Sequence, residues 1–191
     1  RQPLEDREVT VSRVEATVTY PANFQLVAAM NPCPCGHFPD LARCRCTEGQ
    51  ITRYLQKISG PLLDRIDLCV EASPVTYGDI RGGGENEASG AIRARVEQAR
   101  EIQKERFMEE NIRCNGEMAG RHIRKYCVLG KEEETFMEEI FEKLALSARM
   151  HDRILKVART TADLGGASEI RLSDLCEAVS YVKSREKFWG N

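Results

Sequence analysis

Apolar and polar positions alternate at the start of the chain in a way no helix would produce. Val9 and Val11, then Ala16, Val18 and Tyr20, stand two residues apart on either side of a polar turn. This predicts two β-branched strands in a hairpin, with Ser12, Arg13, Val14 and Glu15 near its tip. Pro21 ends the hairpin, and Phe24 to Met30 follows as a nearly continuous apolar run, the pattern of a strand covered on both faces. Such a central strand asks for a larger sheet than this chain supplies. Ile51, Leu55 and Ile58 then recur at helical spacing from Gln50 to Ile58, until Gly60 and Pro61 stop the helix. A short strand, Leu68 to Ala72, is expected after that.

The stretch from Ser73 to Ser89 contains Pro74, Gly78, Gly82, Gly83 and Gly84 and reads as a flexible linker and domain boundary. Beyond it the period becomes helical. Ile92, Val96, Ala99 and Ile102 define one helix, with Ser89 as its cap candidate. A second is expected from about Glu117 to Cys127, and a third from Lys131 to Leu146, burying Phe136, Met137, Ile140, Phe141 and Leu144. A fourth starts at Ser147, buries Met150, Ile154, Val157 and Ala158, and stops at Gly165 and Gly166. The last, capped by Ser173, buries Leu175, Cys176, Val179 and Val182. The expected organisation is α+β: a mixed segment 1–72, a linker 73–88, and a helical bundle 89–191.

Composition narrows the function classes. The chain has 191 residues, 41% of them apolar, and sets 28 Lys and Arg against 30 Asp and Glu for a net charge of -2. Near-neutrality argues against a protein that coats nucleic acid by bulk charge. One stretch is uneven, Arg43 to Lys57, where Arg43, Arg45, Arg53 and Lys57 face only Glu48; it reads as a solvated surface or a nucleic-acid contact. The acidic run Glu132 to Glu134 fits the first turn of a helix, where the dipole favours negative charge. The longest apolar run, Leu26 to Met30, is too short to cross a bilayer, and no leader pattern opens the sequence. A cytoplasmic, reducing location with no membrane partner is therefore expected.

Four of the eight cysteines are packed into Cys33, Cys35, Cys44 and Cys46, two Cys-x-Cys pairs in fourteen residues. Four soft sulfurs at this separation suit tetrahedral zinc. Free or partly oxidised thiols, an oxidation-sensitive site and an iron-sulfur site are the competing readings, and His37 inside the loop could replace one sulfur. A closed four-ligand site has no open position for catalysis, so its role would be structural. No Gly-x4-Gly-Lys-Ser/Thr sequence occurs, and the histidines His37, His122 and His151 have no nucleophile motif around them. Neither a self-contained phosphate-loop enzyme nor a Ser/His/Asp hydrolase is indicated.

Four segments together carry a resemblance: Val9-Thr-Val-Ser-Arg-Val-Glu-Ala16, Val27-Ala-Ala-Met-Asn-Pro-Cys-Pro-Cys-Gly36, Ser59-Gly-Pro-Leu-Leu-Asp-Arg-Ile-Asp-Leu68 and Leu146-Ser-Ala-Arg-Met-His-Asp-Arg-Ile-Leu-Lys-Val-Ala-Arg-Thr160. The chain resembles the magnesium-chelatase-like AAA+ ATPases of the ComM type over nearly its whole length. The resemblance implies a partial AAA+ α/β core (hairpin plus two core strands) followed by an all-α lid, with the Walker A and Walker B elements lying upstream of Arg1. It implies ATP and Mg as cofactors of a full-length, ring-forming, hexameric ATPase, and no ATP turnover by these 191 residues alone. By position, Asn31 resembles sensor 1, which orients the attacking water, and Arg65 the arginine finger, with an ion pair to Asp64 or Asp67 as its structural alternative. Arg149 resembles sensor 2, with Arg153 as the rival. Arg13 falls at the pore-facing position of the pre-sensor 1 hairpin, where a ring of such residues would meet single-stranded or branched DNA. A helicase or branch-migration motor is thus implied. The alternatives are a chelatase-like ATPase that remodels a protein or metal-insertion partner, and a zinc-stabilised binding module with no motor role.

Overall fold

The computed structural model describes residues 2–81 and 87–189, with the side chain of Asp79 left aside. The chain divides into two compact units, the first comprising residues 1–69 and 185–191 and the second residues 70–184. Gly82 to Gly84, the centre of the expected linker, lie outside the described residues. The linker segment does contain a short helix, Tyr77–Arg81, which its Pro and Gly content did not suggest.

In the first unit, a short helix α1 (Gln2–Asp6) precedes strands β1 (Glu8–Arg13) and β2 (Ala16–Pro21). The strands pair antiparallel in the expected hairpin, with Val9 opposite Tyr20, Val11 opposite Val18 and Arg13 opposite Ala16 around the two-residue turn Val14-Glu15. Period-two alternation therefore gives two distinct faces. One carries the valines, Tyr20 and Arg13. The other carries hydroxyls, with Thr10 Oγ1 3.1 Å from Thr19 Oγ1 and Thr17 Oγ1 donating to Ser12 Oγ at 3.2 Å.

The run Phe24 to Met30 is not a strand, and Leu68 to Ala72 is not one either. The sheet among the described residues has only β1 and β2, and Phe24, Leu26, Val27, Leu68 and Val70 are exposed. A strand exists through its ladder, and neither segment has a neighbouring strand here to pair with. The chain nonetheless keeps the expected α+β class, a small sheet followed by helices.

Helix α2 (Glu48–Leu55) begins at a capping box: Gln50 N–H donates to Thr47 Oγ1, and Thr47 N–H to Gln50 Oε1 at 2.9 Å. Its inward residues Ile51 and Leu55 pack with Cys33, Phe38, Tyr54, Phe188 and Trp189 into a small core. The short helix α3 (Gly60–Leu63) has Pro61 in its first turn, where the missing N–H costs nothing, and buries Leu63.

The second unit contains α4 (Tyr77–Arg81), α5 (Ser89–Arg106), α6 (Gly120–Tyr126), α7 (Lys131–Lys143), α8 (Ala148–Leu164) and most of α9 (Leu172–Trp189), with a 3-10 turn at Asn115–Glu117. Ser147 caps α8 by accepting from Met150 N–H, as expected. The start of α9 is different. The helix begins at Leu172, and Asp174, not Ser173, accepts the N–H of Arg171 at 2.8 Å. Ile154, Ala158, Leu175, Val179, Met137 and Ile140 form the centre of the core. Ile92 and Val96 are exposed despite their helical spacing, and Cys176 faces solvent.

Candidate functional site

The most closely assembled site is the sulfur cluster. Pro32 and Pro34 restrict the first Cys-x-Cys, and Gly36 turns the chain with a left-handed φ of +80°, its N–H donating to Cys33 carbonyl at 3.0 Å. The second pair is delivered by a tight turn in which Cys44 N–H donates to Asp40 carbonyl at 2.7 Å, just before the Thr47 cap fixes α2. All four Sγ atoms lie within 4.8 Å of one another. Cys33 is 3.4 Å from Cys35 and 3.8 Å from Cys44, and Cys35 is 3.6 Å from Cys44. Sulfurs about 2.3 Å from a central zinc would stand about 3.8 Å apart at tetrahedral corners, so the donor set fits that ion.

The proton distribution points the same way. Cys35 is lowered to about 6, first by the N–H of Arg45 and then by that of His37. Burial works to raise Cys33, but the N–H groups of Phe38, His37 and Cys35 outweigh it and the thiol is lowered. Cys46 is pushed up to about 12, first by burial and then by the neighbouring sulfurs. The N–H of Cys46 works to lower Cys44, but burial and the Cys35 and Cys33 sulfurs together outweigh it and the thiol is raised. Four sulfurs this close cannot all ionise without a cation, and the N–H groups aimed at them are those that would hold thiolates around one. His37 is exposed and is not among the four clustered groups.

Asn31 borders this loop. Its Cγ and Nδ2 lie 3.8 Å from where a Cβ on Gly36 would stand, so the amide rests against the turn of the sulfur loop. Arg65 follows α3. Its Nη1 donates to Pro61 carbonyl and its Nη2 to Glu5 Oε2 at 2.6 Å, while Nε is buried with no hydrogen-bond partner. The ion pair it forms is thus with Glu5, not with Asp64 or Asp67; Asp64 instead accepts from Arg185 Nη1 at 3.0 Å. Asn31 and Arg65 share no hydrogen bond among the described residues. Arg13 is exposed at the end of β1. In the second unit, Arg149 is exposed in the first turn of α8, whereas Arg153 is buried with Nη1 3.9 Å from Met150 Sδ.

Sequence reading missed a buried polar knot in the second unit. Asp163, 1% exposed, accepts from both Nη atoms of Arg106, from Arg159 Nε at 3.1 Å and from Asn115 Nδ2 at 2.8 Å. Arg159 also donates to the carbonyls of Ala167 at 2.6 Å and Ser168 at 2.8 Å, tying α8 to the turn that follows it. The signal was available in part: Arg159 and Asp163 are four apart on one helix face.

Comparison with known proteins assigns the class. Residues 1–80 match the family model of magnesium chelatase subunit ChlI, and residues 86–182 match that of its C-terminal region. The chain belongs to this magnesium-chelatase-like, AAA+-type ATPase family. Within it, the chain is 43% identical over 182 residues to competence protein ComM of Haemophilus influenzae, covering 95% of this chain and 35% of that protein. It is 42% identical over 182 residues to YifB of Escherichia coli, with the same coverage, and 36% identical over 181 residues to a protein of Mycobacterium tuberculosis, covering 95% of this chain and 36% of the relative. It thus spans about a third of the length of the curated relatives it matches. No helix among the described residues is long and apolar enough to cross a membrane.

Proposed function

We propose that this chain is the sensor 1, arginine-finger and lid portion of a ring-forming ATPase motor of the relatives' length, acting on single-stranded or branched DNA. The observation that carries the reading is Arg65. Its Nη1 is held by the Pro61 carbonyl, while its Nη2 is paired with the Glu5 carboxylate, an oxyanion whose place another oxyanion can take. Exchanging Glu5 for a neighbouring subunit's phosphate would deliver its charge to the transition state.

ATP and Mg2+ supply the phosphoryl group and its charge neutralisation when bound. This chain has no phosphate-binding loop, so its own share is limited to the edge of such a site. Asn31 offers a neutral amide that orients water without competing for its proton. Arg149, exposed at the start of α8, has the reach to report nucleotide state, whereas its rival Arg153 is buried beside Met150. Arg13 provides one positive charge per hairpin, and a ring of them forms a collar for phosphates. The Cys33, Cys35, Cys44 and Cys46 cluster holds one zinc as a structural centre, because a loop of this length cannot bury a core of its own.

The test is the ATPase rate of the longer protein with and without forked DNA. Forked DNA stimulates turnover, and Arg13→Ala removes the stimulation while leaving basal turnover intact. Turnover that ignores DNA but responds to a protein partner would move the assignment to a chelatase-like remodeller.

A further inference from the structure

Helix α2 has a positive face that none of the roles above uses. Gln50, Arg53, Tyr54 and Lys57 recur at helical spacing and line a shallow groove of about 410 Å3, together with Arg45 and Cys46. Arg45 reaches this face because it lies between two clustered cysteines and its own N–H is bonded to Cys35 sulfur. No carboxylate is among the groove's lining residues; Glu48, the one acid of the stretch, lies elsewhere in the first turn of α2. Neither Arg45 nor Arg53 forms an ion pair among the described residues, and Lys57 Nζ sits 5.7 Å from the centroid of the Tyr54 ring. Three positive charges thus converge without compensation on a chain whose net charge is -2.

We infer that this groove is a binding site for the backbone of single-stranded nucleic acid. Guanidiniums match phosphate oxygens in bidentate geometry, and a shallow groove open to solvent suits a strand better than an enclosed ligand. Tyr54, half-buried against Ile51 and Leu55, and Gln50, whose Oε1 accepts the Thr47 N–H while its Nε2 remains a donor, lie at the same surface and add a ring edge and an amide donor for a base. The site is separate from Arg13 and needs no ATP, so it stands even if the motor reading fails.

The experiment is fluorescence anisotropy of a labelled oligothymidine titrated with the full chain, without nucleotide, across a series of salt concentrations. Three phosphate contacts predict a slope of log K against log salt of about -2. Arg45→Glu with Arg53→Glu weakens binding by about tenfold or more, and Arg45→Lys with Arg53→Lys retains most of it. Arg43→Glu is the control, because Arg43 is exposed but does not line the groove. Fluorescence of the single tryptophan, Trp189, whose Nε1 donates to Leu55 carbonyl at 3.2 Å, reports that α2 is in place in each variant. Three results would overturn the site: an effect of the double reversal no larger than that of Arg43→Glu, loss of all binding in Arg13→Ala, or polyglutamate binding as tightly as oligothymidine. The last would assign the groove to an acidic protein partner.

Discussion

Asp163 shows what a single buried carboxylate does in this molecule. Two guanidiniums, an amide and one carboxylate satisfy one another almost out of contact with water. Asp163→Ala strands both Arg106 and Arg159, and unfolding in urea should show a loss of about 3–5 kcal/mol, the range for breaking a buried ion pair from one side. Glu110 gives a pH-dependent counterpart. Its carboxyl is held below the usual range, first by the Lys125 ammonium at 3.0 Å and then by the Tyr126 hydroxyl. A lowered folded-state pKa stabilises above the ordinary carboxylate pKa and loses that contribution as pH falls through the folded value. Glu110→Gln should therefore be less stable than the native chain at neutral pH, and the gap should close on acidification. At this scale the four clustered cysteines were legible because thiol spacing is local. The Glu5 partner of Arg65 was not, since the two are sixty positions apart and only the fold brings them together.

Elements were legible where side chains alone set the start and stop. The alternation of Val9, Val11, Val18 and Tyr20 marked the two strands of the hairpin, though not their pairing register, and Ser147 marked the start of α8. Thr47→Ala should cost about 1 kcal/mol, because it removes half of a reciprocal cap. The end of α7 allows a change in the opposite direction. Leu146 N–H returns to Phe141 carbonyl and Ala145 N–H to Glu142 carbonyl, with Ala145 at a left-handed φ of 44°, a position that suits glycine. Ala145→Gly should raise the thermal midpoint, with a gain below about 1 kcal/mol after the added freedom of the unfolded chain is subtracted. Sequence reading failed where an element depends on its neighbours. Phe24 to Met30 has the composition of a central strand, yet a ladder needs a second strand, and none stands beside it. Ile92 and Val96 have helical period, but period does not specify whether another surface covers that face.

At the scale of the molecule, the two units rest on different sources of stability. The second has a continuous apolar core, Ile154, Ala158, Leu175 and Val179 among its members. The first has a two-stranded sheet and a small cluster in which Cys33 packs with Ile51, Leu55, Phe38, Phe188 and Trp189. If the four sulfurs hold the proposed zinc, chelation should release one ion, make four thiols reactive and alter Trp189 fluorescence, while helicity from residues 89–184 persists. Amide exchange should likewise protect α5 to α9 more strongly than residues 1–69.

The central claim concerns an arginine that acts on another subunit's nucleotide, and complementation between subunits tests it most directly. In the longer protein, Arg65→Ala should lower ATP turnover by about a thousandfold, as should a lesion in the phosphate-binding loop. Mixing the two inactive proteins should restore turnover, because one subunit then supplies the finger and the other the nucleotide site. Undiminished turnover by Arg65→Ala alone would contradict the claim.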